Sequence, residues 1–266
     1  MIHRAKKSLG QNFLKSIPAL NMMCEAGNVS IADTILEIGP GKGALTEKLL
    51  EKAGHVIAIE KDHELLAFLK EKFQEEIGDK KLELIYGDIL DFDPSSIGLK
   101  ESEYKIISNI PYNITGSIFK KFLSETIQPS LMILLVQKEV AERIVARDSK
   151  ESILSLSVKA YGNPKYMMKV GKRFFSPSPK VDSAIIAITD ISKKNFNNNK
   201  NLEVKFFEII KASFAHKRKV LRKNLESLTS AEKIHGLFSL LNINPQARAE
   251  DLHFSVWLKI ANFLNE

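Results

Sequence analysis

Short apolar runs alternate with amphipathic segments from about residue 33 to 190 of this 266-residue chain. Compact β-branched and aliphatic runs at 34–38, 55–59, 82–86, 104–108, 131–137, 165–170 and 184–189 predict strands. Helical spacing fills most of the gaps, as at 44–53, 62–73, 138–146 and from near Thr115. Alternating β and α units of this kind predict an α/β fold, a doubly wound and mostly parallel seven-stranded Rossmann-like sheet. The last two strands are joined by the loop Phe174-Phe175-Ser176-Pro177-Ser178-Pro179-Lys180, too short for a crossover helix, so this pair is expected to be antiparallel.

Residues 192–201 are polar and Asn-rich and read as a linker. Helical patterns follow at 202–215, 220–228, 231–241 and 255–264. The expected organisation is therefore a large domain over 1–191, opened by a basic segment at 1–17, a linker over 192–201, and a small all-helical domain over 202–266.

Composition narrows the function classes. Hydrophobic residues at 44 % suffice for a full core. A single cysteine, Cys24, excludes an internal disulfide framework and a cysteine-cluster metal site, and no metal is expected. No apolar run reaches membrane-spanning length, and no apolar signal core follows the basic N-terminus, so a cytoplasmic protein without a membrane partner is expected. A monomer is the default. The net charge of +7 is unevenly spread: no acid precedes Glu25, and six Lys/Arg with no acid lie between Lys211 and Lys223. Solvated helix faces collect lysines too, but two such clusters far apart in sequence favour nucleic acid.

The most informative chemistry is Asn109-Ile110-Pro111-Tyr112, between a predicted strand and a predicted helix. Alone, such a tetrapeptide is an ordinary loop. At a strand end it can hold a planar amino-bearing ring: Asn109 and the Ile110 carbonyl accept from the amine, and Tyr112 stacks on the ring face. Pro111 fixes its own φ and keeps Ile110 extended.

A second cluster is Glu37-Ile38-Gly39-Pro40-Gly41-Lys42-Gly43 at a strand-to-helix junction. Its glycines are spaced as Gly-x-Gly-x-Gly, which fits neither the dinucleotide fingerprint nor a phosphate loop. With an acid before the first glycine, it suits a nucleoside without phosphates, such as S-adenosylmethionine, with Gly39 and Gly41 against the ligand. Glu60 ends the second predicted strand, where an acid meets ribose hydroxyls, and Asp88 follows the third, where it can accept from an adenine amine. Each acid alone would be a solvated strand end, but ligands of open α/β sheets bind at these carboxyl ends.

These residues resemble the ribosomal RNA adenine N6,N6-dimethyltransferases of the kasugamycin-sensitivity type, which modify small-subunit RNA. The resemblance also rests on Lys7-Ser8-Leu9-Gly10-Gln11-Asn12-Phe13-Leu14, Pro179-Lys180-Val181-Asp182-Ser183, Phe214-Ala215-His216-Lys217-Arg218-Lys219 and Arg248-Ala249-Glu250-Asp251-Leu252. It spans nearly the whole chain. It implies a methyltransferase that dimethylates two adjacent adenosines in a loop near the 3′ end of 16S rRNA, in the small ribosomal subunit or its precursor, with a part in subunit biogenesis. It implies that Asn12, Leu14, Gly39, Glu60, Asp88 and Asn109 contact S-adenosylmethionine, and that Asn109 and the Ile110 carbonyl hold the target amine beneath Tyr112. Phe175 lies where the family has a second aromatic near the target base, with Phe174 as the alternative ring. Arg4, Lys6, Lys7, Lys180, Lys217, Arg218, Lys219, Arg222 and Lys223 are the candidate RNA-binding residues. Ser178 stands for a common proline and His216 for a frequent glutamine, and neither change is expected to abolish activity. Two alternatives remain: a 23S rRNA adenine N6-methyltransferase of the macrolide-resistance type, and a nucleic-acid-binding assembly or transcription factor. The Val181-Asp182-Ser183 and 214–219 elements favour the small-subunit group.

Overall fold

The computed structural model describes residues 5–6 and 9–265. The chain divides into two compact units. One comprises the residues up to Ala141 together with Asn163–Ile191, and the other comprises Glu142–Gly162 with Ser192 onward.

Among the described residues, the first unit is built on nine strands: β1 (Phe13–Leu14), β2 (Thr34–Ile38), β3 (His55–Glu60), β4 (Leu82–Tyr86), β5 (Tyr104–Asn109), β6 (Leu131–Gln137), β7 (Asn163–Val170), β8 (Phe175–Ser176) and β9 (Ser183–Thr189). Seven form one sheet in the order β4-β3-β2-β5-β6-β9-β7. The first five of these run parallel. β9 inserts antiparallel between β6 and β7, and β7 is antiparallel to it, as the short Pro-rich loop requires. β2, β3 and β6 are almost continuously apolar and buried because helices cover both faces of a parallel sheet. β7 instead turns Lys165, Met167 and Lys169 outward, a charged edge that discourages further strand pairing.

Local sequence sets the helices. Ser16 caps Ile17–Ala26 by accepting the Ala19 N–H, and Asp62 caps His63–Lys72 by accepting the Glu64 N–H. Thr115–Ser124 buries Ile118, Phe119, Phe122 and Leu123 along one stripe. Each such side chain removed from water contributes about 1.5–3 kcal/mol.

Two expected boundaries are corrected. Residues 142–162 pack with the helical unit rather than with the sheet, and 192–201 is not a linker. Phe196 is 1 % exposed and meets the rings of Tyr161, Phe206 and Phe207. Asn197 and Asn198 take positive φ, a conformation that asparagine tolerates, and Asn199 caps the helix Lys200–Ser213. The asparagines thus make a tight structured turn. This unit also holds the helices Ile153–Lys159, Leu221–Leu225, Ala231–Leu240 and Phe254–Asn265; Trp257 of the last is fully buried beside the Phe214 ring, and its indole N–H donates to the Leu252 carbonyl at 3.1 Å.

Candidate active site

Pairing of β2 with β5 stops at Leu36–Ile106, whereas β2 stays paired with β3 through Ile38–Ile59. The strands part where the sheet order reverses direction, the place where open α/β sheets bind ligands. Ser108, fully buried, bridges the gap: its Oγ accepts the Ile38 N–H at 3.2 Å and donates to the Ile38 carbonyl. A cleft of about 480 Å³ opens there, at the carboxyl ends of β2 to β5.

The segment Gly10–Lys15 forms one wall. β1 pairs antiparallel with β8, and the Lys15 N–H donates to the Phe174 carbonyl at 2.8 Å. Phe13 lies against Gly41, where a Cβ would stand 3.0 Å from its ring and φ is +60°, so only glycine fits that turn. Gly10 approaches Pro111 and Asn113 closely enough that a Cβ would stand 3.0 Å from Asn113 Oδ1. The wall therefore touches the glycine loop on one side and the Asn109–Asn113 loop on the other.

The carboxylates are held by backbone. Glu60 is 5 % exposed; its Oε2 accepts the Gly41 N–H at 3.2 Å and its Oε1 the Asp62 N–H at 2.8 Å. Burial raises its pKa against those bonds. The Asp62 carboxylate, wholly buried, accepts from Lys6 Nζ at 2.7 Å, Gln11 Nε2 at 2.8 Å and the Glu64 N–H at 3.1 Å. Burial raises its pKa, but these three donors outweigh burial and leave it below the usual range. Lys61 draws the Asp88 carboxyl down, and the Leu90 N–H donates to Asp88 Oδ1 at 2.9 Å.

Glu37 behaves oppositely. It is 2 % exposed, and its Oε2 accepts from Thr46 Oγ1 at 2.7 Å. Burial, reinforced by the nearby Glu60 charge, pushes its pKa up to about 8. Between the unfolded value of 4.5 and about 8, the folded protein keeps a proton that the unfolded chain has released. Stability must then fall as pH rises through that window. Glu37→Gln keeps the Thr46 acceptor and removes the titration, so the variant melts higher than the wild type at pH 8.5 and loses less Tm between pH 6 and 8.5. Equal losses in melting scans of the two proteins would refute this account of Glu37.

At the acceptor side, Asn109 is fixed in orientation. Its Nδ2 donates to the Asn12 carbonyl at 3.1 Å, and its Oδ1 has no hydrogen-bond partner among the described residues. Pro111, at φ −59° and ψ 132°, continues the extended chain. The Tyr112 hydroxyl lies 2.6 Å from Ser183 Oγ at the start of β9, and the Thr115 hydroxyl donates to the Tyr112 carbonyl at 3.1 Å. An amide acceptor and a tethered aromatic ring thus stand beside a cleft edged by carboxylates.

A family model described as ribosomal RNA adenine dimethylase matches residues 2–266. The chain belongs to this family. It is 41 % identical over 261 residues to the ribosomal RNA small subunit methyltransferase A of Dehalococcoides mccartyi, covering 97 % of this chain and 87 % of that one. It is 38 % identical over 274 residues to the protein of the same name from Nostoc sp., covering 98 % of each. A dimethyladenosine transferase from Plasmodium falciparum superposes with a TM-score of 0.78 at 25 % identity, covering 93 % of this chain and 95 % of that one.

In this rRNA adenine dimethylase, the cleft is lined by Asn12, Leu14, Gly39, Gly41, Glu60, Asp88, Asn109, Ile110, Pro111 and Tyr112 together. One expected residue falls elsewhere. The Phe175 ring is 4 % exposed and belongs to the hydrophobic core, because the backbone of β8 pairs with β1 and turns it inward; the 37 %-exposed ring is that of Phe174. Lys6 pairs with Asp62 at 2.7 Å and Glu64 at 3.1 Å, which ties it to the wall of the cleft. Arg4 and Lys7 lie outside the described residues. Lys180 is exposed in the first unit; Lys217, Arg218, Lys219, Arg222 and Lys223 are exposed in the second, where Lys223 pairs with Glu226 at 2.9 Å. Asn224 Nδ2 donates to the Ser213 and His216 carbonyls at 2.6 and 3.3 Å and fixes the turn that carries 217–219. The sequence did not reveal the holding roles of Ser108, Ser183 and Asp62, although Ser183 closes one of the family blocks. Only Asp62 left a signal, an acid just before a helical run.

Proposed function

We propose that this enzyme uses S-adenosylmethionine to dimethylate N6 of two adjacent adenosines in a loop near the 3′ end of 16S rRNA, within the small ribosomal subunit or its precursor. The observation that carries the reading is the Asn109 amide, oriented by Asn12 so that its Oδ1 is left as an acceptor at the end of β5. The donor set suits the cofactor. A cleft of about 480 Å³ is of small-molecule size. Its carboxylates match hydroxyls and an amine, and its glycine turn lacks phosphate-loop spacing. Glu60 would take the ribose hydroxyls and Asp88 the adenine amine, with Asn12, Leu14, Gly39 and Gly41 closing around them. When bound, the cofactor supplies a methyl already activated on a sulfonium.

What remains for the chain is to prepare the acceptor. An adenine amine is a poor nucleophile because its lone pair is delocalised into the ring. Asn109 Oδ1 and the Ile110 carbonyl accept its N–H groups and favour a pyramidal nitrogen with a localised lone pair. Tyr112, tethered through Ser183, fixes the plane of the base. Orientation and placed dipoles supply most of the acceleration. No strong general base is required, since the nitrogen becomes acidic only as the new bond forms.

The target base must leave its stack to enter the cleft, so single-stranded or loop RNA is the substrate form. Exposed Lys180 and the 217–223 cations contact phosphates, and binding weakens as salt rises. Labelled methyl transfer to undermethylated small subunits, large subunits and naked 16S rRNA tests the assignment: label enters the small-subunit substrate, and preferential labelling of large subunits would overturn it. The protein also assists small-subunit assembly, which a catalytically inactive Asn109 variant would retain.

Asp62 links the N-terminal wall to the ribose acid, because its side chain holds Lys6 and Gln11 while its N–H holds Glu60. Asp62→Ala should weaken S-adenosylhomocysteine binding roughly tenfold and, with the loss of a helix cap, cost about 1 kcal/mol or more of stability. Titration calorimetry and melting curves check both; unchanged affinity would detach Asp62 from the site.

A further inference from the structure

An isolated exposed phenylalanine needs no explanation, but Phe174 is not isolated. It ends the short 3-10 turn Lys172–Phe174, and its ring is 37 % exposed. The Arg173 guanidinium lies over that ring, 5.0 Å from the centroid, and pairs with no carboxylate among the described residues. No acid occurs between Lys172 and Val181, and Lys172, Lys180 and Lys15 are all exposed.

The turn is held from several directions. The Phe174 N–H donates to the Gly171 carbonyl at 3.0 Å, and the Phe174 carbonyl accepts the Lys15 N–H at 2.8 Å. The Lys172 N–H donates to Asp182 Oδ1 at 2.9 Å, and the Ser178 hydroxyl donates to the Lys172 carbonyl at 3.0 Å. Asp182 is itself anchored by Lys169 at 2.9 Å. An aromatic ring and a guanidinium are thus presented on a fixed support, so little order remains to be imposed when a ligand binds.

The position is next to the cleft but outside it. Lys15, bonded to Phe174 from the neighbouring strand, and Ser176, two residues further along the chain, both line the cleft, and Phe174 does not. Tyr112 already occupies the place of a ring against the target base. We propose that Phe174 and Arg173 form a second stacking platform, which takes an unpaired RNA base flanking the target adenine while Lys172 and Lys180 neutralise adjoining phosphates. Aromatic and guanidinium planes are the usual supports for splayed RNA bases. A loop that releases one base into the cleft must also unstack its neighbour, and the platform offsets that loss. The inference rests on an RNA substrate and goes beyond it by naming where a non-reacting base is held.

The test is steady-state methyl transfer to undermethylated small ribosomal subunits by the wild type and by Phe174→Ala, Phe174→Leu and Phe174→Trp. Phe174→Ala should raise KM for the subunit about tenfold, the order of one lost base stack. The loss falls on KM rather than kcat, and S-adenosylhomocysteine affinity stays at the wild-type value. Phe174→Leu keeps apolar bulk without a π face and should resemble the alanine variant, whereas Phe174→Trp restores the wild-type KM. An unchanged KM in Phe174→Ala, or full function in Phe174→Leu, overturns the platform. A fall in kcat at constant KM also overturns it, because the ring would then act on the target base. A wild-type protein that transfers no methyl to any subunit would instead overturn the RNA-substrate reading, and the platform with it.

Discussion

Asn109→Ala lowers kcat for rRNA methylation by about a hundredfold to a thousandfold, the range for removing one oriented group that acts in the transition state. Two losses combine. The acceptor Oδ1 disappears, so the target amine loses a partner that favours its pyramidal form. The bond from Nδ2 to the Asn12 carbonyl also goes, freeing the N-terminal wall from the loop it abuts. That single part-buried bond is worth about 1 kcal/mol, so the variant still folds. Asn109→Asp separates the effects: it retains an oxygen acceptor but sets a carboxylate oxygen against the Asn12 carbonyl. It should therefore be impaired almost as severely. Single-turnover rates on undermethylated small subunits measure both variants: near-normal turnover of Asn109→Ala would remove Asn109 from the chemistry, and near-normal turnover of Asn109→Asp would show that the Asn12 bond is dispensable.

Glu60→Gln has the second largest expected effect, on cofactor affinity rather than on the methyl-transfer step. Both Glu60 oxygens already accept backbone N–H groups, from Gly41 and Asp62, while hydroxyls need the remaining lone pairs. A glutamine has one acceptor oxygen, so its amide NH2 must confront either the Gly41 or the Asp62 N–H, donor against donor. The variant loses a charge-assisted bond and distorts the glycine turn. Hydrogen bonds to charged groups contribute about 1.5–3 kcal/mol, which predicts a ten- to hundredfold weaker S-adenosylhomocysteine complex. Calorimetric titration reads this directly. Wild-type affinity in the variant would show that Glu60 is a structural acid only.

The sheet was legible because each strand is an apolar run bounded by polar or Gly/Pro signals. The runs at 34–38, 82–86 and 131–137 coincide with β2, β4 and β6. The two-residue ribbon of β1 and β8 was not legible, since Phe13–Leu14 and Phe175–Ser176 are too short to carry a period. That ribbon decides which of two adjacent phenylalanines faces solvent, so the choice between Phe174 and Phe175 was beyond periodicity. The helical unit misled for a different reason. Asn197 and Asn198 look like linker residues because asparagine serves both flexible segments and positive-φ turns, and only the burial of Phe196 separates the two. Within the site, residues that act alone at strand ends, such as Glu60, Asp88 and Asn109, were visible in the sequence. Those that act by holding others were not: Asp62 on Lys6 and Gln11, Ser108 across β2, and Ser183 on Tyr112 depend on contacts between distant segments.

The central claim is that the cleft between β2 and β5 methylates the exocyclic nitrogen of rRNA adenines through Asn109. It is tested most directly by incubating undermethylated small subunits with S-adenosylmethionine and the wild type or Asn109→Ala, then digesting the RNA to nucleosides for mass spectrometry. The account predicts N6,N6-dimethyladenosine from the wild type and only traces from the variant. Methyl groups on another nucleoside, or equal dimethyladenosine from both proteins, would contradict it.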